Sequence, residues 1–168
     1  KEIEELKSLI KPFILRRLKK DVITELPEKI EKKYYVPMTN EQKLAYKNYM
    51  KEVKLKLKTG ENDNITIFSY LTRLRQICQD PILVNKDYTG DSGKLNVALE
   101  IIEEVIEDNN KMLVFSQFTS VLKKIEDELN IREIKNKYLD GSTSAKERIK
   151  LVSEFNESKE PEIFLISL

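Results

Sequence analysis

No histidine occurs in the 168 residues, and there is one cysteine, Cys78. The missing imidazole excludes His-based acid–base and nucleophile-activating chemistry. Together the two shortages exclude an intrachain disulfide and leave no usual ligand set for zinc. A single unpaired thiol suits a reducing compartment. Tryptophan is also absent, and there are only four glycines and five prolines, too few for a loop-dominated or low-complexity chain. An excess of either charge is lacking too. Thirty Lys and Arg against 29 Asp and Glu leave a net charge of +1, so a charged partner must be met by a local patch. No apolar run approaches the roughly 20 residues that span a bilayer, and no signal peptide is visible. The expectation is a soluble, intracellular chain without a membrane partner. It begins at Lys1 and stops inside the apolar run EIFLISL, which reads as an excised fragment.

What is present is patterned. Residues 1–19 read as one helix or two short ones divided by Pro12. ELPEK (25–29) reads as a turn, and IEKKYYVPM (30–38) as a strand. Thr39 or Asn40 caps a helix that Gly60 stops. On it Tyr46, Tyr49, Met50, Val53 and Leu57 share one arc, and Lys43, Lys47, Lys51, Lys54 and Lys58 an adjacent one. A second helix over 65–79 carries Ile67, Leu71, Leu74 and Cys78 as its apolar stripe, which makes an antiparallel hairpin with Cys78 in the core. From Asp91 onward helix and strand alternate. KMLVF, EIKNKYLD and EIFLISL are the strands, and the nearly apolar ones predict a parallel sheet covered on both faces.

The polar residues of interest sit where strands end. Ser116-Gln117 separates KMLVF from the next helix, and Asp140-Gly141-Ser142-Thr143-Ser144 follows the second strand. Ligands of open α/β sheets bind outside the carboxyl ends of strands, where helix N-termini favour anions. Two adjacent strand ends would thus offer small donors to a polyanion. Ordinary helix capping, with Ser144 and Glu147 as a capping box, accounts for the same residues. The cluster Arg16, Arg17, Lys19 and Lys20 fits either backbone phosphates or a solvated face. Arg73 and Arg75 carry the same ambiguity. The lysine arc reads as a solvated face, because lysines snorkel beside apolar strips. GDSGKL (90–95) fails as a nucleotide loop: Tyr88 and Leu95 stand where Gly and Ser/Thr are needed. Glu126, Asp127 and Glu128 read as a solvated helix face rather than a metal box.

Seven blocks occur in an order that resembles Swi/Snf-type ATPases, a branch of the superfamily-two helicases that translocate on double-stranded DNA. They are PFILRRLKKDVITELPEK, YVPMTNEQKLAY, LRQICQDPIL, SGKL, VFSQFTSVLKKIEDEL, YLDGSTSAKERIKLVSEFN and IFLISL, and they cover nearly the whole chain. The resemblance implies a partial RecA-like parallel sheet flanked by helices, preceded by a helical hairpin protrusion and a short linker. Residues 1–38 would close the first lobe and cross to the second, 39–90 would be the protrusion, and 91–168 the first half of the second lobe. VFSQF resembles motif IV, and LDGSTSAKER the block before motif V. Ser116, Gln117, Gly141, Ser142 and Thr143 would then lie by the DNA backbone. Arg16 and Arg17 would dock the lobes or touch DNA, and Lys94 joins this DNA-binding set. Arg148 would stabilise the second lobe internally.

No catalytic residue is expected in the chain itself. Phosphoryl transfer needs a phosphate cradle, a metal and a transition-state arginine together, and the blocks that supply them are missing. ATP and Mg²⁺ would belong to the parent protein, a DNA-dependent ATPase, and the fragment alone would be inactive. Its partners would be double-stranded DNA, the first RecA-like lobe and, in the cell, nucleoprotein or RNA polymerase. Localisation would be cytoplasmic at the nucleoid in a bacterium and nuclear otherwise. A second reading is a non-catalytic helical plus α/β protein-interaction module. A third, a standalone nucleotide-binding α/β protein, lacks a phosphate loop.

Overall fold

The structure, a computed structural model, describes residues 2–14, 30–60 and 63–168. The chain divides into two compact units, Lys1–Tyr34 and Tyr35–Leu168. In the first, α1 (Glu2–Ile10) passes into a 3-10 turn, Lys11–Phe13. Pro12 stops the α-helix there because it has no N–H to donate. Arg16, Arg17, the lysines beside them and the turn expected at 25–29 lie outside the described residues.

Residues 30–39 are extended but not paired as a strand. This corrects the strand expected over 30–38. Strand propensity is realised beside a neighbouring strand, and among the described residues none flanks this stretch. Its distal end packs by Gly93 instead, with the Pro37 carbonyl and Val36 facing that glycine's backbone.

The helices α2 (Asn40–Lys58) and α3 (Asn64–Gln79) form the hairpin. Thr39 and Gln42 close a reciprocal capping box at the start of α2. Gly60, at φ 101°, takes the left-handed conformation that reverses the chain, and Asp63 caps α3 through Thr66 N at 3.1 Å. The helices meet through Tyr49, Val53, Tyr70 and Ile77. They run antiparallel: Lys56 lies over the Tyr70 ring, 6.0 Å from its centroid, while Tyr46 shares a cavity with Leu74 and Cys78. The stripe on α3 is rotated from the expected one. Tyr70 and Ile77 are buried, Leu71 is 51% exposed and Leu57 of α2 36% exposed. Cys78 is half-buried and outside the core clusters, a second correction.

The remaining elements are α4 (Gly93–Glu107), β1 (Met112–Ser116), α5 (Thr119–Ile131), β2 (Asn136–Leu139), α6 (Ala145–Glu157) and β3 (Ile163–Ser167). The strands form a parallel sheet in the order β1-β3-β2. The path crosses from β1 to β2 and then turns back to β3. Since parallel crossovers are right-handed, that reversal sends α5 and α6 to opposite faces. On one face α4 and α5 bury Leu99, Ile102, Leu122, Ile125 and Leu129 against Ile163 and Leu165. On the other, Phe155 of α6 packs on Phe164 and Leu139, with the two phenyl centroids 5.2 Å apart. Each fully buried aliphatic side chain contributes roughly 1.5–3 kcal/mol.

Coverage of the sheet is incomplete at β1. Leu113 is 47% and Phe115 53% exposed, because α6 lies over β2 and β3 and does not reach across to β1. The expectation of two covered faces holds for β3 and β2, where Tyr138 packs on the α5 side and Leu139 on the α6 side, but not for β1. Among the described residues no helix is long and apolar enough to cross a membrane.

A buried polar junction ties the hairpin to the α/β part. Gln42, Asp80 and Ser92 are each 1% exposed. Gln42 Oε1 accepts from Gly93 N at 2.9 Å and from Thr39 N at 3.2 Å, and its Nε2 donates to the Ile77 carbonyl at 3.3 Å. Ser92 Oγ donates to the Gln79 carbonyl at 2.8 Å. Lys124 Nζ of α5 donates to Asp80 Oδ2 at 2.8 Å.

Candidate nucleic-acid interface

Parallel pairing places the ends of β1, β2 and β3 on one rim. Ser116 stands opposite Ser167, and Leu139 opposite Ile166. The exits of β1 and β2 are therefore on the same side but not adjacent. Strand β3 separates them, which corrects the expected neighbourhood and sets them about 10 Å apart at two strand spacings. Because α5 and α6 leave toward opposite faces, the end of β3 is the switch point of this topology, beside which ligands of open α/β sheets bind.

At the β1 exit, Ser116 Oγ accepts from Phe118 N at 3.1 Å, and the Ser116 carbonyl accepts from Leu168 N at 3.0 Å. The serine thus shapes the turn. Gln117 is exposed and its amide has no partner among the described residues. It stands on the wall between two cavities. One, of about 810 Å³, holds the start of α5 with Lys86, Lys123 and Lys124. No side chain caps α5, so its first amides stay available to an anion. The other, of about 480 Å³, brings Lys94 and Arg75 to Gln117 across an apolar floor of Tyr46 and Leu74. Lys94 makes one long contact, Nζ to Gln79 Oε1 at 3.5 Å.

At the β2 exit, Asp140 organises the loop. Its Oδ1 accepts from Ser142 N at 2.8 Å and Ser142 Oγ at 2.6 Å. Asp140 N donates to Thr143 Oγ1 at 3.2 Å, and Arg148 Nη2 donates to the Asp140 carbonyl at 3.3 Å. Ser142 and Thr143 are thus engaged within their own loop, while Gly141 faces open space. Ser144 caps α6 by accepting from Glu147 N at 3.3 Å. The return bond from the Glu147 side chain, which a capping box requires, is not made. Local capping therefore explains more of this segment than of the β1 exit.

The Ser142 hydroxyl, the Ser142 amide and the Tyr138 phenol hold the Asp140 carboxyl below its ordinary pKa. Burial, then the hydrogen bond to Asp140 Oδ2 at 3.0 Å, push the Tyr138 phenol up to about 12. Lys123 Nζ sits 3.6 Å from the centroid of the Tyr138 ring. A raised folded-state pKa gives a contribution complete below the unfolded value of 10.0 and lost as pH rises toward about 12. Thermal unfolding across that window should therefore fall less steeply in Tyr138→Phe than in the unaltered chain. Equal slopes would show that Tyr138 does not couple folding to this titration.

The residues expected on the rim thus separate into two groups. Gln117 and Lys94 share a cavity, whereas Ser142 and Thr143 are held by Asp140. Tyr138 and Lys123 are not among the residues expected at the site, and Arg75 fits a phosphate contact or a solvated face on sequence alone. The short spacing Tyr138-x-Asp140-x-Ser142 at a strand end was the available signal for the loop.

The segment GDSGKL does not fit a nucleotide cradle. A Cβ at Gly93 would meet the Pro37 carbonyl at 2.4 Å, and one at Gly90 the Tyr88 hydroxyl at 2.6 Å. Both glycines are packed against this chain's own atoms. Among the described residues no group of three Asp, Glu or Cys side chains is placed to hold a metal ion.

Comparison with known proteins gives the lineage. Residues 1–83 match the SNF2-related domain and residues 93–168 the helicase conserved C-terminal domain. An uncharacterized ATP-dependent helicase of Mycoplasma genitalium is 34% identical over 160 residues, covering 94% of this chain and 15% of that protein. The human SWI/SNF-related matrix-associated actin-dependent regulator of chromatin subfamily A member 1 is 33% identical over 180 residues, covering 99% of this chain and 17% of its own length. The solved Sulfolobus solfataricus SWI2/SNF2 ATPase core in complex with dsDNA is 32% identical, with a TM-score of 0.76 over 98% of this chain and 36% of that one. The chain thus spans less than a fifth of these two relatives' length. These matches do not favour the protein-interaction module, and they confirm the partial RecA-like α/β fold. By both of its domain matches and by the solved core that superposes on it, the chain belongs to the Swi/Snf family of helicase-like ATPases.

Proposed function

We propose that this chain supplies the duplex-gripping part of a DNA-dependent, ATP-driven translocase. Residues 1–38 would join the lobes, 39–90 form the protrusion and 91–168 begin the second lobe. The supporting observation is Gln117, an unpartnered amide on a rim whose strand exits face one way. A solved relative described as an ATPase core in complex with dsDNA points to the same ligand.

Gln117 would donate to a phosphate, and Lys94 and Arg75 would hold the charge nearby. Ser116 keeps the turn that presents the amide, and Gly141 leaves room for a backbone to come close. Ser142 and Thr143 would contribute mainly by fixing the loop. Neutral donors hold a phosphate directionally without a fixed cation's strong attraction, which suits a grip that must release. Phosphate contacts carry no base information, as a motor on any sequence requires.

The parent would bind ATP and Mg²⁺ with groups of its other lobe, and this chain alone would not hydrolyse ATP. That lobe is the expected intramolecular partner. Nucleoprotein or RNA polymerase would be the cargo, at the bacterial nucleoid or in a nucleus.

Gln117→Ala is expected to weaken duplex binding about tenfold, the loss of one hydrogen bond to a charged group. In the intact protein, DNA-stimulated hydrolysis should fall more than basal hydrolysis. Equal loss of both would overturn the reading.

A further inference from the structure

The lysine arc of α2 has a property that a mere solvated face does not require. Taking 100° per residue, Lys43, Lys47, Lys51, Lys54 and Lys58 fall within an arc of about 80°, and the row is about 22 Å long. All five are exposed, and none has an ion pair or hydrogen bond among the described residues. The helix's two acids, Glu41 and Glu52, lie about 80° or more beyond that arc. Glu52 is engaged by Lys56, at 2.8 Å, which is off the row. In the α/β part, by contrast, Lys123, Lys124, Arg132, Lys135, Lys137 and Lys150 are each held by a carboxylate.

Like charges at i,i+4 destabilise a helix. This row contains three such pairs, 43–47, 47–51 and 54–58, with no acid interposed. A face shaped for solubility alternates the two signs. A face that keeps one sign in line is matched to a partner with a line of the opposite sign.

We propose that this row is a second phosphate-binding surface that takes a stretch of duplex DNA apart from the rim. Lysines four apart stand about 6 Å from one another along the helix axis. That is close to two phosphate steps of one DNA strand, each about 3.4 Å along the duplex axis. Ammonium groups on flexible stems then reach alternate phosphates without demanding a particular base. None of the five lines either rim cavity, so the two surfaces add to one another. The ligand is the duplex of the preceding reading; the row does not depend on the rim.

The test is fluorescence anisotropy of a labelled duplex titrated with the chain at several salt concentrations. All five lysines are changed to glutamine, which preserves helix propensity, and circular dichroism checks the fold. The slope of log affinity against log salt should become shallower by about 0.9 per lysine engaged, hence by up to about 4.5 if all five are. An unchanged slope overturns the proposal. So does binding of polyglutamate more tightly than duplex by the unaltered chain, which would make the row a docking face for an acidic protein. Gln117→Ala removes no charge and leaves the slope in place. A lost slope in the lysine variant with no effect of Gln117→Ala would keep the row and sink the rim, and the opposite pattern would do the reverse.

Discussion

Lys124→Met is expected to cost about 3 kcal/mol or more of folding stability, because it leaves a buried carboxylate without its cation. Asp80 is 1% exposed and Lys124 30% exposed at the side chain. The aspartate cannot recover water when the ammonium goes, and its remaining bond, from Ile82 N at 3.1 Å, is to a neutral donor. For a chain of this size the melting temperature should drop by about 10 °C. The pair Asp80→Asn with Lys124→Met should recover a large part of that loss, since the stranded charge is then gone. A drop under about 1 kcal/mol in Lys124→Met alone would show that the pair behaves as a surface salt bridge. It would also remove the electrostatic link between α5 and the end of α3.

Gly93→Ala carries the other large effect. The added methyl would stand 2.4 Å from the Pro37 carbonyl oxygen, a backbone atom that cannot swing aside as a side-chain end can. Relief requires the extended stretch to move off α4, which disturbs the Gln42 bond to Gly93 N. Overpacking of this kind costs about 3 kcal/mol. Gly90→Ala should cost less, because its obstacle is the far end of the Tyr88 side chain, and Gly141→Ala should be nearly neutral for stability because nothing lies within 4 Å. Chemical denaturation of the three variants orders them. A Gly93→Ala protein as stable as Gly141→Ala would refute the close approach.

The difference between what the sequence revealed and what it concealed follows the range of the interaction. Thr39, Gly60 and Ser144 act within a turn of their own helix, so their roles are readable from neighbours in sequence. The sheet's parallel character was readable from apolar strands separated by amphipathic helices. Strand order was not. It depends on which face each crossover takes, and the expectation of adjacent exits at 116–117 and 141–143 failed for that reason. The strand over 30–38 failed because propensity says nothing about whether a partner exists. Asp80 and Gln42 looked like ordinary polar residues at helix ends. Their burial comes from contacts with residues 35 to 51 positions away. At the site, position on a strand end was legible, whereas occupancy of each hydroxyl was not. Asp140 had already claimed Ser142, and nothing had claimed Gln117.

The strand order has a consequence for biogenesis. Among the described residues β3, the third of the three strands in chain order, occupies the centre, and β1 and β2 each pair with it. Until residues 163–167 leave the ribosome, neither β1 nor β2 can form the ladder it makes with β3, and Leu113 and Phe115 lie on β1. Translation therefore carries a nascent intermediate with two unsatisfied edges and a greasy flank, the kind of species that chaperones intercept.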